Sequence, residues 1–411
     1  MSETQVNDRP KVMFLSEMCV LDKNSGAAIS QLTWLEILQK AGFQCSSVTM
    51  SLFDGQEEYP FQKEIAPKID PTKNVGKRLR FVRDGIEHNI HITASSRGKN
   101  MTKETVKGFT KMAAEDIRRI KPDVVIGFGS PNLNPLRRLA KSLGAKCVFY
   151  LANASYKEEK KACFAEVEEI FVPSQALGDH YRETLGLESS VQRSAVAQHI
   201  NPETFSAERK TQERRNGFVT MINPDPLKGG LIFLQLAQMA LKTNPELTFL
   251  AVESRGTRAM WEDAGLNMRA LTNVWWIPKQ KDISRVFQRT SVLLAPSIWF
   301  EASARVVAEA QLCGIPVLAT RVGGIPAQLN GGGYLFDVPE AMRDKATAVP
   351  PPASVQPWLE QIRTLMGDDD VYHADVLRAL ESSQPFHPDV RRRELVETFN
   401  RLAGAQVPIP A

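Results

Sequence analysis

Short apolar runs alternate with longer amphipathic segments along this chain, and the alternation happens twice. The first series opens with Lys11–Ser16 (KVMFLS), a buried strand, followed by a helix from about Ile29 to Ala41 that Gly42 ends, and a strand over 43–50. Residues 53–100 are irregular, with weak strand signals near 79–83 and 88–93. A helix over 103–120 precedes strands at 123–128, 146–151 and 169–173, with helices at 137–143 and 176–185. A polar stretch, 202–216 (PETFSAERKTQERRN), then breaks the pattern. It restarts with strands at 217–222, 248–253, 274–277, 292–295 and 316–319, joined by helices such as 230–242 and 282–289. Strand–helix–strand order of this kind builds parallel sheets covered by helices, so the fold class is α/β. At 411 residues the chain exceeds the ~250–300 at which single cores stop growing. Two domains are expected, 1–205 and 206–387, with a last helical segment in 388–411.

Composition excludes several classes. The chain is 43% hydrophobic and 24% charged, as ordinary globular proteins are, and no apolar run approaches the ~18 residues of a membrane span. The first ten residues are polar, without an apolar signal region. Five scattered cysteines and six histidines show no metal-ligand spacing, and the thiols are expected to be reduced core groups of a cytoplasmic protein. The net charge of +4 is unevenly spread: between Lys73 and Lys121 thirteen Lys/Arg face five acids. This basic segment is a candidate for an anionic acceptor or for peripheral contact with the inner face of an anionic membrane. Phe81 and Phe109 are its only aromatics, too few for a nucleic-acid stacking platform.

Residues 295–319 carry the chemistry. The strand ending at Ala295 meets a Pro296-Ser297 turn, then Glu301, and Glu309 follows eight residues later. That spacing suggests two acids on one side of a helix, one at its mouth and one about two turns deeper. Such a pair suits a ligand with hydroxyls at both ends and a diphosphate between them, the diphosphate meeting the unpaired amides of a helix N-terminus. Glu301-x7-Glu309, Gly314-Ile-Pro-Val317 and Gly323-Gly324-Ile325-Pro326 together resemble the donor signature of retaining GT-B glycosyltransferases of the family 4 type. The resemblance implies two Rossmann-like domains facing across a cleft, with the last helix crossing back to the first domain. It also implies transfer of a sugar from a nucleotide diphosphate to an acceptor hydroxyl with retention, with no metal and no cofactor beyond the donor.

Matched residue by residue, the resemblance places Glu301 by the donor sugar, Glu309 on the ribose, and the amides of Ser303 and Ala304 at the diphosphate; Arg305 beside them is a further candidate donor contact. Lys228, at the tip of the loop Asn223-Pro-Asp-Pro-Leu-Lys228, matches the family's diphosphate lysine, so Lys228 and Glu301 are the candidate catalytic residues. Gly26 and Ala27 lie in the loop where relatives carry a glycine pair, with Ser25 in place of the first glycine. The departures suggest a divergent branch. Asn223 stands where an arginine is usual, leaving Arg255, Arg305 or Arg321 to supply that charge. Ala152 stands where many relatives have a histidine, so Asn153 and Tyr156 are the candidate sugar contacts there. Ala302-Ser303-Ala304 replaces a glycine-containing run, and Ala327 replaces a usual glutamate. Other readings from these departures are a nucleotide-sugar-binding protein with impaired catalysis, an inverting transferase, or an epimerase. The acceptor is not named by any motif.

Overall fold

The computed structural model describes residues 9–55, 57–193, 200–202, 205, 211–212 and 217–409; most of the polar stretch 202–216 and His199 lie outside them. The chain divides into two compact units. One holds residues 1–173, 178–195 and 391–411, the other 174–177 and 196–390.

The first unit is built on β1 (Lys11–Leu15), β2 (Gln44–Met50), β3 (Arg78–Arg83), β4 (Ile86–His91), β5 (Val124–Gly127), β6 (Lys146–Tyr150), β7 (Glu169–Val172) and β8 (Ser190–Val191). Their order is β3-β4-β2-β1-β5-β6-β7-β8, parallel except for the β3–β4 hairpin. The weak strand signals in 53–100 are this hairpin at the sheet edge. The helix Gly26–Ala41 starts at Ser25, whose hydroxyl accepts the Ala28 N–H, and stops at Gly42 with φ 119°. Successive strand residues point to opposite faces. Val12 and Phe14 therefore pack with Trp34 and Leu38 on one side, while Met13 and Leu15 pack with Phe109 and Ile117 of the helix Lys103–Ile120 on the other.

The first core is completed from the far end of the sequence. In the helix Pro388–Ala403, Leu395, Val396, Phe399 and Leu402 join the cluster around Trp34, and the Phe399 ring meets the Trp34 indole edge-on at 6.3 Å.

The second unit holds β9 (Phe218–Ile222), β10 (Phe249–Val252), β11 (Val274–Ile277), β12 (Thr290–Ala295), β13 (Val317–Thr320) and β14 (Gly333–Phe336). Every pair is parallel, in the order β11-β10-β9-β12-β13-β14. One face packs on the helices Gly230–Thr243 and Pro352–Gly367, the other on Arg305–Leu312. Strand succession reverses direction between β9 and β12, as it does between β1 and β5 in the first sheet. In open α/β sheets the crevice beyond the carboxyl ends at such a reversal is the usual ligand position.

Candidate functional site

At the reversal in the second sheet, the loops after β9 and β12 meet. The β9 loop leaves Ile222 through Asn223, whose φ of 59° turns the chain. Asp225 then caps the short 3-10 turn Pro226–Lys228, accepting the Leu227 N–H at 2.9 Å. Gly229 follows with φ 82°, and a Cβ there would lie 1.9 Å from the Pro296 carbonyl oxygen. Only glycine lets these two loops approach so closely. The contact is held by backbone bonds, Ile298 and Trp299 N–H donating to the Leu227 carbonyl at 3.0 and 3.2 Å.

This docking brings Lys228 onto Glu301. The Lys228 ammonium donates to Glu301 Oε1, and the Ser297 hydroxyl donates to the same oxygen at 2.6 Å. The Glu301 side chain is only 12% exposed. A third loop, after β13, holds the Glu301 backbone. Gly324 N–H donates to the Glu301 carbonyl at 2.6 Å, and a Cβ on Gly323 (φ 51°) would stand 2.3 Å from that oxygen. The Gly323-Gly324 pair is thus required by backbone proximity.

The helix after Glu301 differs from the expectation. It spans Arg305–Leu312, so Glu301 lies in the preceding loop and only Glu309 is helical. The cause is a contact with another loop: the Glu301 carbonyl is bonded to the β13 loop, which holds 301–304 out of the helix. Ala304 takes φ −81°, ordinary for alanine, so the missing glycine imposes no strain at the helix entry. Among the described residues no side chain caps that start, which leaves its positive end to an anion. The Ser303 hydroxyl is turned to Gln328 Oε1 at 2.9 Å. Arg305 Nη2 and Glu309 Oε1 pair at 3.1 Å, with side chains 19% and 7% exposed.

The other candidate residues are placed differently. Asn223 Oδ1 accepts the Gly256 N–H at 2.9 Å, so its oxygen ties the β9 loop to the β10 loop. Glu253 accepts the Arg258 N–H at 2.8 Å at the next helix start, while Arg255 is exposed. Trp276 packs on the core and Trp275 is exposed on the edge strand β11. In the first unit Gly26 is exposed with open space where a Cβ would go, and Ala27 follows it into the helix. Asn153 Oδ1 accepts the Ser155 N–H at 3.0 Å. The Tyr156 hydroxyl donates to the Gly129 carbonyl at 3.4 Å, its ring lies edge-on to Phe149, and burial raises its pKa.

Cysteines 19, 45, 147 and 163 are buried free thiols, and burial pushes the first three up to about 12, far from a nucleophile's range. Among the described residues no group of three His, Cys, Asp or Glu is placed to hold a metal ion. The acidic run Asp368–Asp370 opens a helix, with Asp368 accepting the Asp370 and Val371 N–H groups. No described helix is long and apolar enough to cross a membrane.

Residues 213–367, nearly all of the second unit's sheet and its covering helices, match the family model described as Glycosyl transferases group 1. Over that region the chain is similar to group 1 glycosyltransferases. Solved GT-B glycosyltransferases share its fold over almost the whole length. A glycosyltransferase from Rickettsia africae superposes with TM-score 0.68 at 15% identity, covering 96% of this chain and 99% of its own. Sucrose-phosphate synthase from Thermosynechococcus elongatus gives 0.69 at 15% identity, covering 97% and 100%. HepE from Anabaena, in complex with UDP-glucose, gives 0.65 at 16% identity, covering 95% and 99%. No curated protein sequence matches the chain.

The first unit has a feature at its own reversal point that no sequence motif announces. Glu17, 7% exposed beyond β1, accepts the Ser130 N–H at 2.8 Å and the Ser130 hydroxyl, with the Asn132 amide at 3.4 Å. It fixes the Gly127-Phe-Gly129-Ser loop after β5, and a Cβ on Gly129 would lie 2.7 Å from the Glu17 carboxylate. Asp22, 1% exposed, likewise orders the first loop by accepting the Asn24 and Asp54 N–H groups. The signal for both was a lone acid just after a buried strand, which is too common to single out.

Proposed function

We propose that this chain is a glycosyltransferase that moves a sugar from a nucleotide diphosphate sugar to an acceptor hydroxyl with retention of anomeric configuration. The observation that carries the reading is the pairing of Lys228 with a largely buried Glu301 beside an uncapped helix start, at the reversal point of a Rossmann-like sheet. The donor class is further supported by the UDP-glucose complex of HepE. An incoming diphosphate competes with Glu301 for the lysine ammonium. Lys228 then faces the phosphate, and the freed Glu301 carboxylate accepts hydrogen bonds from sugar hydroxyls. Glu309, within the helix, takes the ribose hydroxyls.

In the step itself the bond between the anomeric carbon and the diphosphate oxygen breaks. The acceptor oxygen bonds the same carbon from the same face, and the departing phosphate oxygen takes the acceptor proton. Lys228 and the helix start stabilise the charge that grows on the leaving diphosphate. No cofactor beyond the donor is called for. Gly26, Ala27, Asn153 and Tyr156 remain candidate donor contacts.

Calorimetric titration of Lys228→Ala and Glu309→Ala with UDP-, GDP-, ADP- and dTDP-sugars tests the site. Each substitution is expected to weaken the bound donor at least tenfold, and unchanged affinity in both would sink the assignment. Retention is tested separately by the anomeric coupling of the product: the opposite anomer would make the enzyme an inverting one.

A second reading concerns location, and it is favoured by the outer face of the helix Lys103–Ile120. Lys103, Lys107, Lys111 and Arg118 are exposed there, opposite the buried Phe109, Ala113 and Ile117. Among the described residues no carboxylate pairs with them. Arg78, Arg80 and Arg119 are instead drawn to Asp116, Glu87 and Glu115. We propose that this row contacts an anionic acceptor or the anionic inner face of a membrane.

A further inference from the structure

The donor site proposed above lacks one charge: position 223 carries an asparagine whose oxygen is bound to the Gly256 N–H. A diphosphate carries two or more negative charges, and Lys228 alone leaves part of that charge uncompensated. Three arginines on this unit are within a few residues of the site loops. Arg255 is exposed. Arg321 is 58% exposed and pairs with the exposed Asp337 at 3.6 Å. Arg305 differs from both. It is the first residue of the uncapped helix, only 19% of its side chain is exposed, and it is held by Glu309.

Its hydrogen bonding is also incomplete. The guanidinium has five N–H donors in a fixed fork. Nη2 uses Glu309, but Nε is buried and has no acceptor among the described residues. A buried donor without an acceptor costs stability. Here it sits at the positive end of a helix, where a phosphate bearing several oxygens would satisfy both groups.

We propose that Arg305 is the second cation of the diphosphate site, replacing the charge missing at position 223. The inference rests on the donor reading given above and extends it. The site then holds two ion pairs, Lys228–Glu301 and Arg305–Glu309. Donor binding exchanges partners in both. The two cations turn to the diphosphate, and the two carboxylates accept hydroxyls, Glu301 from the sugar and Glu309 from the ribose. The site stays close to neutral before binding, and on binding the two carboxylates exchange their cations for hydrogen bonds from hydroxyls.

The test compares a nucleoside monophosphate with its diphosphate. UMP and UDP, with the AMP/ADP and GMP/GDP pairs as the other probes, are titrated calorimetrically into the whole chain and into Arg305→Met and Arg305→Lys. Arg305→Met is expected to weaken the diphosphate at least tenfold while the monophosphate changes less than twofold, and Arg305→Lys to recover part of the difference. Equal weakening of mono- and diphosphate would mean that Arg305 acts only by positioning Glu309 on the ribose, and the proposal is overturned. No weakening of either overturns it as well. If the unaltered chain binds none of the six nucleotides, the donor reading itself fails and takes this one with it. Thermal unfolding of both variants at the unaltered chain's temperature separates loss of binding from loss of fold.

Discussion

At the scale of single residues, the site depends on backbone positions as much as on charged side chains. Glu301 is held where it is because its carbonyl accepts Gly324 N–H and because Gly323 leaves room for it. Gly323→Ala would add a Cβ 2.3 Å from that carbonyl at a φ of 51° that alanine adopts reluctantly. The loop must shift, and Glu301 with it. Strain and displacement of this kind cost about 1–3 kcal/mol. Thermal unfolding should therefore fall, and donor affinity should fall further than the stability loss explains, because Lys228 and Glu301 no longer meet. A variant with normal unfolding and normal donor affinity would show that the loop has slack. The acids themselves were legible in the sequence, but their setting was not. A spacing of eight suggests one helical face, and nothing in Ala302-Ser303-Ala304 announces that a backbone bond to a distant loop keeps Glu301 out of the helix. Glu17 was illegible for a related reason: its partners, Ser130 and Asn132, are more than a hundred residues away.

At the scale of elements, the strands buried on both faces were plain in the sequence because each is a short, nearly continuous apolar run. The hairpin β3–β4 was faint because its partners are polar. His88 and Asn89 are buried with Ser47, the imidazole Nδ1 bonded to the Ser47 hydroxyl at 2.8 Å, so the usual alternation is absent. The same neighbourhood sorts the basic segment into two populations. Arg78, Arg80 and Arg119 converge on Asp116, which is fully buried, and fasten the helix Lys103–Ile120 to the sheet edge. Lys103, Lys107, Lys111 and Arg118 point away from it. Juxtaposed lysines and arginines contribute about 1 kcal/mol each toward an anionic lipid surface, and salt screens them. Replacing Lys103, Lys107 and Lys111 by glutamine should therefore weaken sedimentation with phosphatidylserine-containing vesicles by about a hundredfold at low salt. Folding should be unaffected, since these side chains hold no other element. If the unaltered chain ignores such vesicles but an anionic acceptor analogue binds it, the row serves the acceptor instead.

At the scale of the whole molecule, the first unit's core is finished by residues that lie beyond the entire second unit in sequence. Phe399 packs on Trp34, which also meets Tyr150 and Phe171 edge-on, at 4.9 and 6.3 Å. Such long-range closure slows folding, since the chain entropy is spent before the contact is made. The amphipathic pattern of 388–404 gave the helix itself, but no local signal says which unit it covers. Phe399→Ala removes a fully buried aromatic and should cost the first unit about 3–5 kcal/mol. Hydrogen exchange reads this unit by unit. Amides of the helix Gly26–Ala41 and of β6 should exchange roughly a hundredfold to a few thousandfold faster, while those of β9 and β12 should keep their protection. Equal acceleration in both units would mean that they unfold as one cooperative body. No acceleration in either would mean that the last helix is not what closes the first core.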